Sequence, residues 1–249
     1  MKQDGSCLLC GTPRTGSTLL CNLLRSTGVA GNPESYFRQP DEITYAERWG
    51  LAWSSHGVID YAEFVRASRV EGSTSNGFYS ARIMWGSMED LIDRLGLIYP
   101  DADGQEVKLL TYAFGAPRFI QLQRQDVVAQ AVSWLRAEQS GIWHIAPNSL
   151  PRDPEQKSEF DFEEAHKLVQ VIQSHNDAWR QWFAAAGVTP FQVWYEELDS
   201  DPIGVTQDIL QFLELELPPG RRINADNVRM ADELSVDWIH RYRDRIAES

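Results

Sequence analysis

The chain has 249 residues, of which 43% are hydrophobic, so it is long enough for one large α/β domain with a substantial core. Its formal net charge of −13 argues against a general nucleic-acid binder, because such proteins need clustered Lys and Arg across a broad surface. No apolar run approaches the ~20 residues needed to span a bilayer, and the N-terminal apolar stretch is too short for a signal peptide. We therefore expect a folded cytoplasmic protein in which any anion site is local.

The first predicted element is a buried strand over residues 6–11, which is followed by a helix over 17–27. Gly28 ends this helix. Cys7 and Cys10 form a C-x-x-C pattern, but alternation along a strand points their side chains to opposite faces. The pair is therefore predicted to be structural, and three cysteines, an odd number, fit reduced thiols.

Strands and helices continue to alternate along the rest of the chain. The predicted elements are two short helices within 41–71, a strand over 77–85, helices over 87–97 and 104–114, a strand over 118–124, a helix over 126–136, a Pro-rich connection over 147–154, a helix over 160–186, a strand over 191–195, a helix over 201–213, and a basic loop with a terminal helix over 228–246. This order predicts an α/β, P-loop-like three-layer fold with a central parallel sheet flanked by helices. With no repeat and no convincing linker, we expect one domain covering 1–249.

A glycine-bounded loop connects the first strand to the first helix. The run Gly11-Thr-Pro-Arg-Thr-Gly-Ser-Thr18, the phosphate loop below, has the G-x-x-x-x-G spacing of nucleotide-binding loops. Its glycines let backbone N–H groups turn inward, and the helix that follows offers its positive end to an anion. Ser17 stands where a nucleotide hydrolase carries Lys, whereas Arg14 can fold over the anion and stabilise a leaving phosphate. We expect an anion to be bound by Arg14, Thr15, Gly16, Ser17 and Thr18.

This loop resembles the 5′-phosphosulfate loop of sulfotransferases that use 3′-phosphoadenosine 5′-phosphosulfate (PAPS). The resemblance is closest to the bacterial trehalose 2-sulfotransferase type, whose longer pattern is matched by 14–20 and by Thr27-Gly-Val-Ala-Gly-Asn-Pro33. It implies that PAPS is the co-substrate, that adenosine 3′,5′-bisphosphate is released, and that no metal is required.

The same resemblance extends to the segments that would bind the rest of the donor. In that family an Arg at a strand end and a Ser nine residues later bind the 3′-phosphate, which implies these roles for Arg124 and Ser133. Physically, the planar guanidinium and a short hydroxyl can hold a dianion without a metal. Tyr195, in a Tyr-Glu-Glu-Leu segment, corresponds to the residue that approaches the adenine, and Arg229 to one on a C-terminal loop that closes over a phosphate.

The acceptor hydroxyl must lose a proton, so a carboxylate or His should lie near it. The trehalose type has Glu two residues after the Pro of G-x-P, where this chain has Ser35 with Glu34 just before it. We predict Glu34 as the base and Ser35 as an acceptor contact. Three histidines remain as unranked alternatives for the base, namely His56, His144 and His175.

Two further residues are predicted to bind the acceptor, which we expect to be a saccharide or glycolipid. Arg82 matches a Lys of the trehalose type and would hold sulfuryl oxygens or a sugar. Trp53, with Trp49 and Trp143, lies in a loop-like region where an aromatic face can stack on a sugar. The family tendency and the apolar content also favour a homodimer.

Two other functions fit parts of the same pattern. A P-loop nucleotide kinase or hydrolase should keep the loop Lys and an acidic Mg²⁺ partner, and this sequence has neither in clear form. A catalytically silent nucleotide- or glycan-binding protein is suggested only by the missing Glu at position 35. The sequence therefore favours a sulfotransferase.

Overall fold

The computed structural model describes residues 5–51, 59–143, 158–224 and 233–248. These residues form four β-strands and ten α-helices. In chain order they are β1 (Ser6–Gly11), α1 (Ser17–Thr27), α2 (Gln39–Arg48), α3 (Tyr61–Glu71), β2 (Tyr79–Met84), α4 (Trp85–Ile98), α5 (Glu106–Phe114), β3 (Pro117–Gln123), α6 (Val127–Ser140), α7 (Phe162–Ala186), β4 (Phe191–Trp194), α8 (Tyr195–Ser200), α9 (Pro202–Phe212) and α10 (Glu233–Ala247).

The four strands form one parallel sheet in the order β2-β1-β3-β4. The central strand β1 is buried along its whole length, which explains why its sequence is continuously apolar rather than alternating. Because β1 lies between β2 and β3, the segments that leave the carboxyl ends of these three strands meet at one edge of the sheet. The predicted parallel sheet is confirmed, and its carboxyl edge carries the candidate site.

Helices cover both faces of the sheet, so the predicted α/β class is confirmed. One face, with Cys10, packs on α4, α5 and α7, whereas the other, with Cys7, packs on α1 and α9. The two thiols therefore belong to different hydrophobic clusters, as the alternation of a strand predicts. Both thiols are reduced and buried.

Glycines and an aspartate set the ends of two predicted helices. The first begins at Ser17 and ends before Gly28, whose φ of 70° suits glycine. The long helix begins at Phe162, two residues later than predicted, because the side chain of Asp161 accepts a hydrogen bond from the N–H of Glu164 and caps it.

Three predicted strands end one residue earlier than the sequence indicates, and the strand predicted over 118–124 ends at Gln123. The strand predicted over 77–85 ends at Met84, and the next helix begins at Trp85 without a connecting loop. The strand predicted to end at Tyr195 ends at Trp194, and Tyr195 is the first residue of the short helix α8, which the sequence did not reveal. The acidic residues that follow Tyr195 suit a helix N-terminus, and this local preference prevails over strand propensity. The predicted Pro-rich connection over 147–154 lies outside the described residues.

The C-terminal helix α10 joins a third hydrophobic cluster with α6 and α7. Its Arg243 forms an ion pair with Asp126, the residue that caps α6, with Nη2 and Oδ2 2.9 Å apart. No helix in the described segments is long and apolar enough to cross a membrane. That the chain forms a single domain stays a prediction.

Candidate active site

The phosphate loop connects β1 directly to α1 in a strained backbone conformation. Gly16, the residue before α1, has φ 80°, and Arg14 has φ 67°, in the left-handed region that non-glycine residues rarely occupy. Within the described residues, no side chain caps the start of α1 and none in its first turn is acidic. The partial positive charge of this helix end is therefore not neutralised by a neighbouring carboxylate.

The loop is fixed from inside the protein by two side chains. The buried Thr15 donates its hydroxyl to the carbonyl of Thr12 at 2.9 Å. Gln130 of α6 donates its side-chain amide to the hydroxyl of Thr12 and to the carbonyl of Pro13, both at 2.7 Å. Gln130 is not among the residues predicted from the sequence, although it lies three residues before Ser133 and hence on the same helix face. These contacts hold the strained loop in place.

Arg82 of β2 places its guanidinium at the start of α1. Its Nη1 donates to the hydroxyl oxygens of Thr18 at 3.0 Å and Ser17 at 3.3 Å, and its Nε donates to Ser35 Oγ at 2.7 Å. The side chain is half-buried in these contacts. A cation from the neighbouring strand thus lies beside Ser17, the position at which a nucleotide hydrolase carries Lys.

The consecutive residues Glu34 and Ser35 contact different cations. Ser35 is bound by Arg82, as described above, whereas the carboxylate of Glu34 forms an ion pair with Arg25 of α1. The carbonyl of Glu34 accepts a hydrogen bond from the N–H of Arg82 at 2.9 Å, which fixes this segment beside β2. Both members of the ion pair are more than a third exposed. The carboxylate is therefore directed to the last turn of α1, whereas Ser35 is bound by the arginine that contacts the first turn.

Arg14 reaches the residues predicted to bind a 3′-phosphate. Its Nε donates to Ser133 Oγ at 3.0 Å, and its Nη1 donates to the carbonyl of Trp143. Burial, together with the positive charge of Arg124, lowers the pKa of Arg14. Arg14 and Arg124, the arginine pair below, therefore lie close enough to repel each other, which is the arrangement an anion between them would stabilise.

Arg124 follows the end of β3 and stacks on an aromatic ring. Its guanidinium carbon lies 4.4 Å from the ring centroid of Tyr195. Its Nε is buried and has no hydrogen-bond partner among the residues that the structure describes. A buried donor of this kind costs free energy unless a ligand accepts from it, so the position fits a phosphate oxygen.

Tyr195 connects the arginine pair to the phosphate loop. A Cβ atom added to Gly16 would lie only 2.6 Å from Tyr195 Cδ2, so the ring packs directly on the glycine. The same ring is contacted by the guanidinium of Arg124. Glycine is therefore required at position 16 both for its positive φ and for the close approach of Tyr195.

His175 of α7 also lies near this edge of the sheet. Burial lowers the pKa of its imidazole, and its Nδ1 is buried with no hydrogen-bond partner in the described part of the chain. One helical turn further along α7, Trp179 donates its indole N–H to the carbonyl of Gly11 at 3.0 Å. Of the three histidines proposed as alternative bases, His175 is the one within the described residues, since His56 and His144 lie outside them.

Two other predicted site residues, Trp53 and Arg229, also lie outside the described residues. Trp49 packs in the core on Tyr45, with ring centroids 5.2 Å apart.

The fold and the loop together define a P-loop-like α/β protein with cationic side chains on three neighbouring segments of the carboxyl edge. The sequence pattern of the Stf0 sulphotransferase family matches residues 6–245, so the chain belongs to this family and is a sulfotransferase enzyme. The predicted family is confirmed, in preference to a kinase, a hydrolase or a silent binding protein.

Two relatives are similar over nearly the whole chain. Trehalose 2-sulfotransferase of Mycobacterium tuberculosis is 28% identical over 95% of this chain and 93% of that protein. The trehalose 2-sulfotransferase of Mycolicibacterium smegmatis is 27% identical over the same shares. Among solved structures, a sulfotransferase from Mycobacterium avium is 15% identical and covers 98% of this chain and 68% of that chain, with a TM-score of 0.48. A sulfotransferase from Alicyclobacillus acidocaldarius is 14% identical and covers 99% and 94%, also with a TM-score of 0.48.

Proposed function

We propose that this enzyme transfers the sulfuryl group of PAPS to a hydroxyl of a carbohydrate or glycolipid. The observation that carries the proposal is the arginine pair with Ser133, joined through Tyr195 to the phosphate loop. PAPS bears one anionic group at its 5′ end and another at the 3′ position. The uncapped start of α1, with Arg82 beside it, would bind the first, and the arginine pair with Ser133 would bind the second.

The reaction needs charge stabilisation more than covalent help from the protein. An acceptor oxygen bonds to sulfur while the bond from sulfur to the 5′-phosphate oxygen breaks, and the acceptor proton goes to a base. Negative charge therefore grows on the leaving phosphate, which becomes part of adenosine 3′,5′-bisphosphate. The residues proposed to bind this phosphate are the backbone of 15–18 and Arg82, with Arg14 bridging toward the 3′ side. No step requires a metal.

Glu34 remains the proposed base, and Ser35, Arg82 and Trp53 the proposed acceptor contacts. Single-turnover sulfation separates Glu34 from its neighbour: Glu34→Gln should slow product formation strongly, and Ser35→Ala should slow it mildly. A normal single-turnover rate in Glu34→Gln would exclude Glu34, and a His175→Gln variant with a slowed rate would then identify the alternative base.

The acceptor is proposed from the names of the relatives, which act on trehalose. Ser35 replaces the Glu of the trehalose type, so we propose a saccharide or glycolipid without restricting it to trehalose. Sulfation assays with labelled PAPS against trehalose, other disaccharides and glycolipids should give a labelled product with at least one of them. We also propose that the enzyme forms a homodimer.

Donor identity is tested by calorimetry with adenosine 3′,5′-bisphosphate and with ATP, each with and without Mg²⁺. We expect tight binding of the bisphosphate that does not depend on metal and that is weakened in both Arg14→Ala and Arg124→Ala. Removing one charged hydrogen-bond partner should cost about 1.5–3 kcal/mol, or roughly 10- to 100-fold in Kd. Preference for Mg-ATP would overturn the proposed donor.

A further inference from the structure

The turn between β3 and α6 is held by a carboxylate from a different part of the chain. Both carboxylate oxygens of Glu196 accept from the N–H of Gln125 at 3.2 Å, and Oε1 also accepts from the N–H of Asp126 at 3.4 Å. Glu196 is the second residue of α8, which follows β4. Because β4 pairs with β3 in the sheet, the two strand ends bring this carboxylate and this turn together.

Glu196 acts together with Asp126 at the start of α6. Asp126 caps the helix by accepting from the N–H of Ala129 at 3.0 Å, while Glu196 accepts from the two N–H groups just before the helix. Negative side chains are favourable at this end of a helix. The N–H groups of Gln125, Asp126 and Ala129 are therefore already bound within the protein and are not available to a ligand phosphate.

Arg124, directly before this turn, is held from its side chain and its backbone at once. Its guanidinium stacks on Tyr195, and the next peptide N–H is bound by Glu196, the neighbour of Tyr195. Fixing the peptide after Arg124 fixes the direction in which its side chain leaves the backbone. The buried Nε of Arg124 is thus preset for a ligand oxygen rather than ordered when the ligand binds.

We propose that Glu196 is a positioning residue for recognition of the donor's 3′-phosphate, acting through Arg124. This inference rests on the proposed function. It adds to that function a reason why a nucleotide with a 3′-phosphate should be preferred: the carboxylate that orients Arg124 also closes the competing site at the helix terminus.

The test compares Glu196→Gln with Glu197→Gln, since Glu197 is the exposed neighbour in the same helix. Calorimetry is done with adenosine 3′,5′-bisphosphate and with adenosine 5′-monophosphate, which lacks the 3′-phosphate. Glu196→Gln should weaken bisphosphate binding about tenfold and leave monophosphate binding unchanged, because only the first nucleotide uses Arg124. Glu197→Gln should match the wild type for both. Thermal unfolding of each variant confirms that the fold is retained, and Glu196→Asp, which keeps the charge, should recover part of the loss.

A second variant pair distinguishes positioning from general support. In an Arg124→Ala background, Glu196→Gln should cause no further loss of bisphosphate affinity, since its effect is carried by the missing arginine. Equal loss for both nucleotides, no loss for either, or a full additional loss in the Arg124→Ala background would overturn the proposal. If the wild type binds the two nucleotides equally, the proposed donor itself fails, and that result is visible before any variant is made.

Discussion

Replacing Gly16 with alanine tests the link between the phosphate loop and the arginine pair. The residue has φ 80°, and its new Cβ would lie 2.6 Å from Tyr195 Cδ2, so both the backbone and the ring must move. The backbone strain alone costs about 1–2 kcal/mol, which corresponds to a fall in Tm on the order of 2–8 °C for a chain of this size. Displacing Tyr195 from Arg124 removes a cation–π contact of about 0.5–2 kcal/mol.

The assay measures both quantities, with a control that carries the same backbone strain elsewhere. Gly28 has φ 70°, and a Cβ there would lie 3.2 Å from Cζ of the exposed Arg221 side chain, which can move away. Gly28→Ala should lower Tm to a similar degree and leave the Kd for adenosine 3′,5′-bisphosphate unchanged. Gly16→Ala should raise that Kd on the order of tenfold. If the two variants bind the bisphosphate equally well, Tyr195 does not connect the loop to the arginine pair.

Two further predictions concern the loop support and the buried thiols. Gln130→Ala removes two hydrogen bonds from the loop, so it should lower the free energy of unfolding by about 2 kcal/mol in a denaturant titration and weaken bisphosphate binding; an unchanged midpoint and Kd would contradict this. Burial raises the pKa of Cys21 to about 11, so the thiol stays protonated at pH 8 and should react with iodoacetamide only after unfolding; rapid labelling of the native protein, followed by mass spectrometry, would contradict the buried position.

The local part of the fold could be predicted because short-range rules determine it. The bounds of β1 and α1 follow from a continuous apolar run, helical spacing and the glycines at 11, 16 and 28, and the structure confirms them. The sequence predicts three strand ends one residue too late, at 85, 124 and 195 instead of 84, 123 and 194. The strands that end at 84 and 194 run into a helix with no turn residue between, so the sequence carries no signal for those boundaries.

The contacts across the site could not be predicted, because they depend on the strand order. The contact between Arg14 and Ser133 spans 119 positions and exists because β3 lies beside β1. Arg82 reaches Ser17 and Thr18 because β2 lies on the other side of β1. The sequence identified each of these residues as a candidate, but it carries no signal for the hydrogen bond from Arg14 to Ser133. The pairing of Glu196 with the turn after β3 had no local signal.

The ion pair between Glu34 and Arg25 bears on the proposed base. Both side chains are more than a third exposed, and a pair of this kind contributes only about 0–1 kcal/mol. Breaking this ion pair so that the carboxylate can reach an acceptor hydroxyl therefore slows the reaction by at most about fivefold. The backbone of Glu34, by contrast, is fixed to Arg82, whose guanidinium touches the start of α1. The carboxylate of Glu34 is thus weakly held, while its backbone is fixed beside Arg82. The ion pair with Arg25 therefore does not argue against Glu34 as the proposed base.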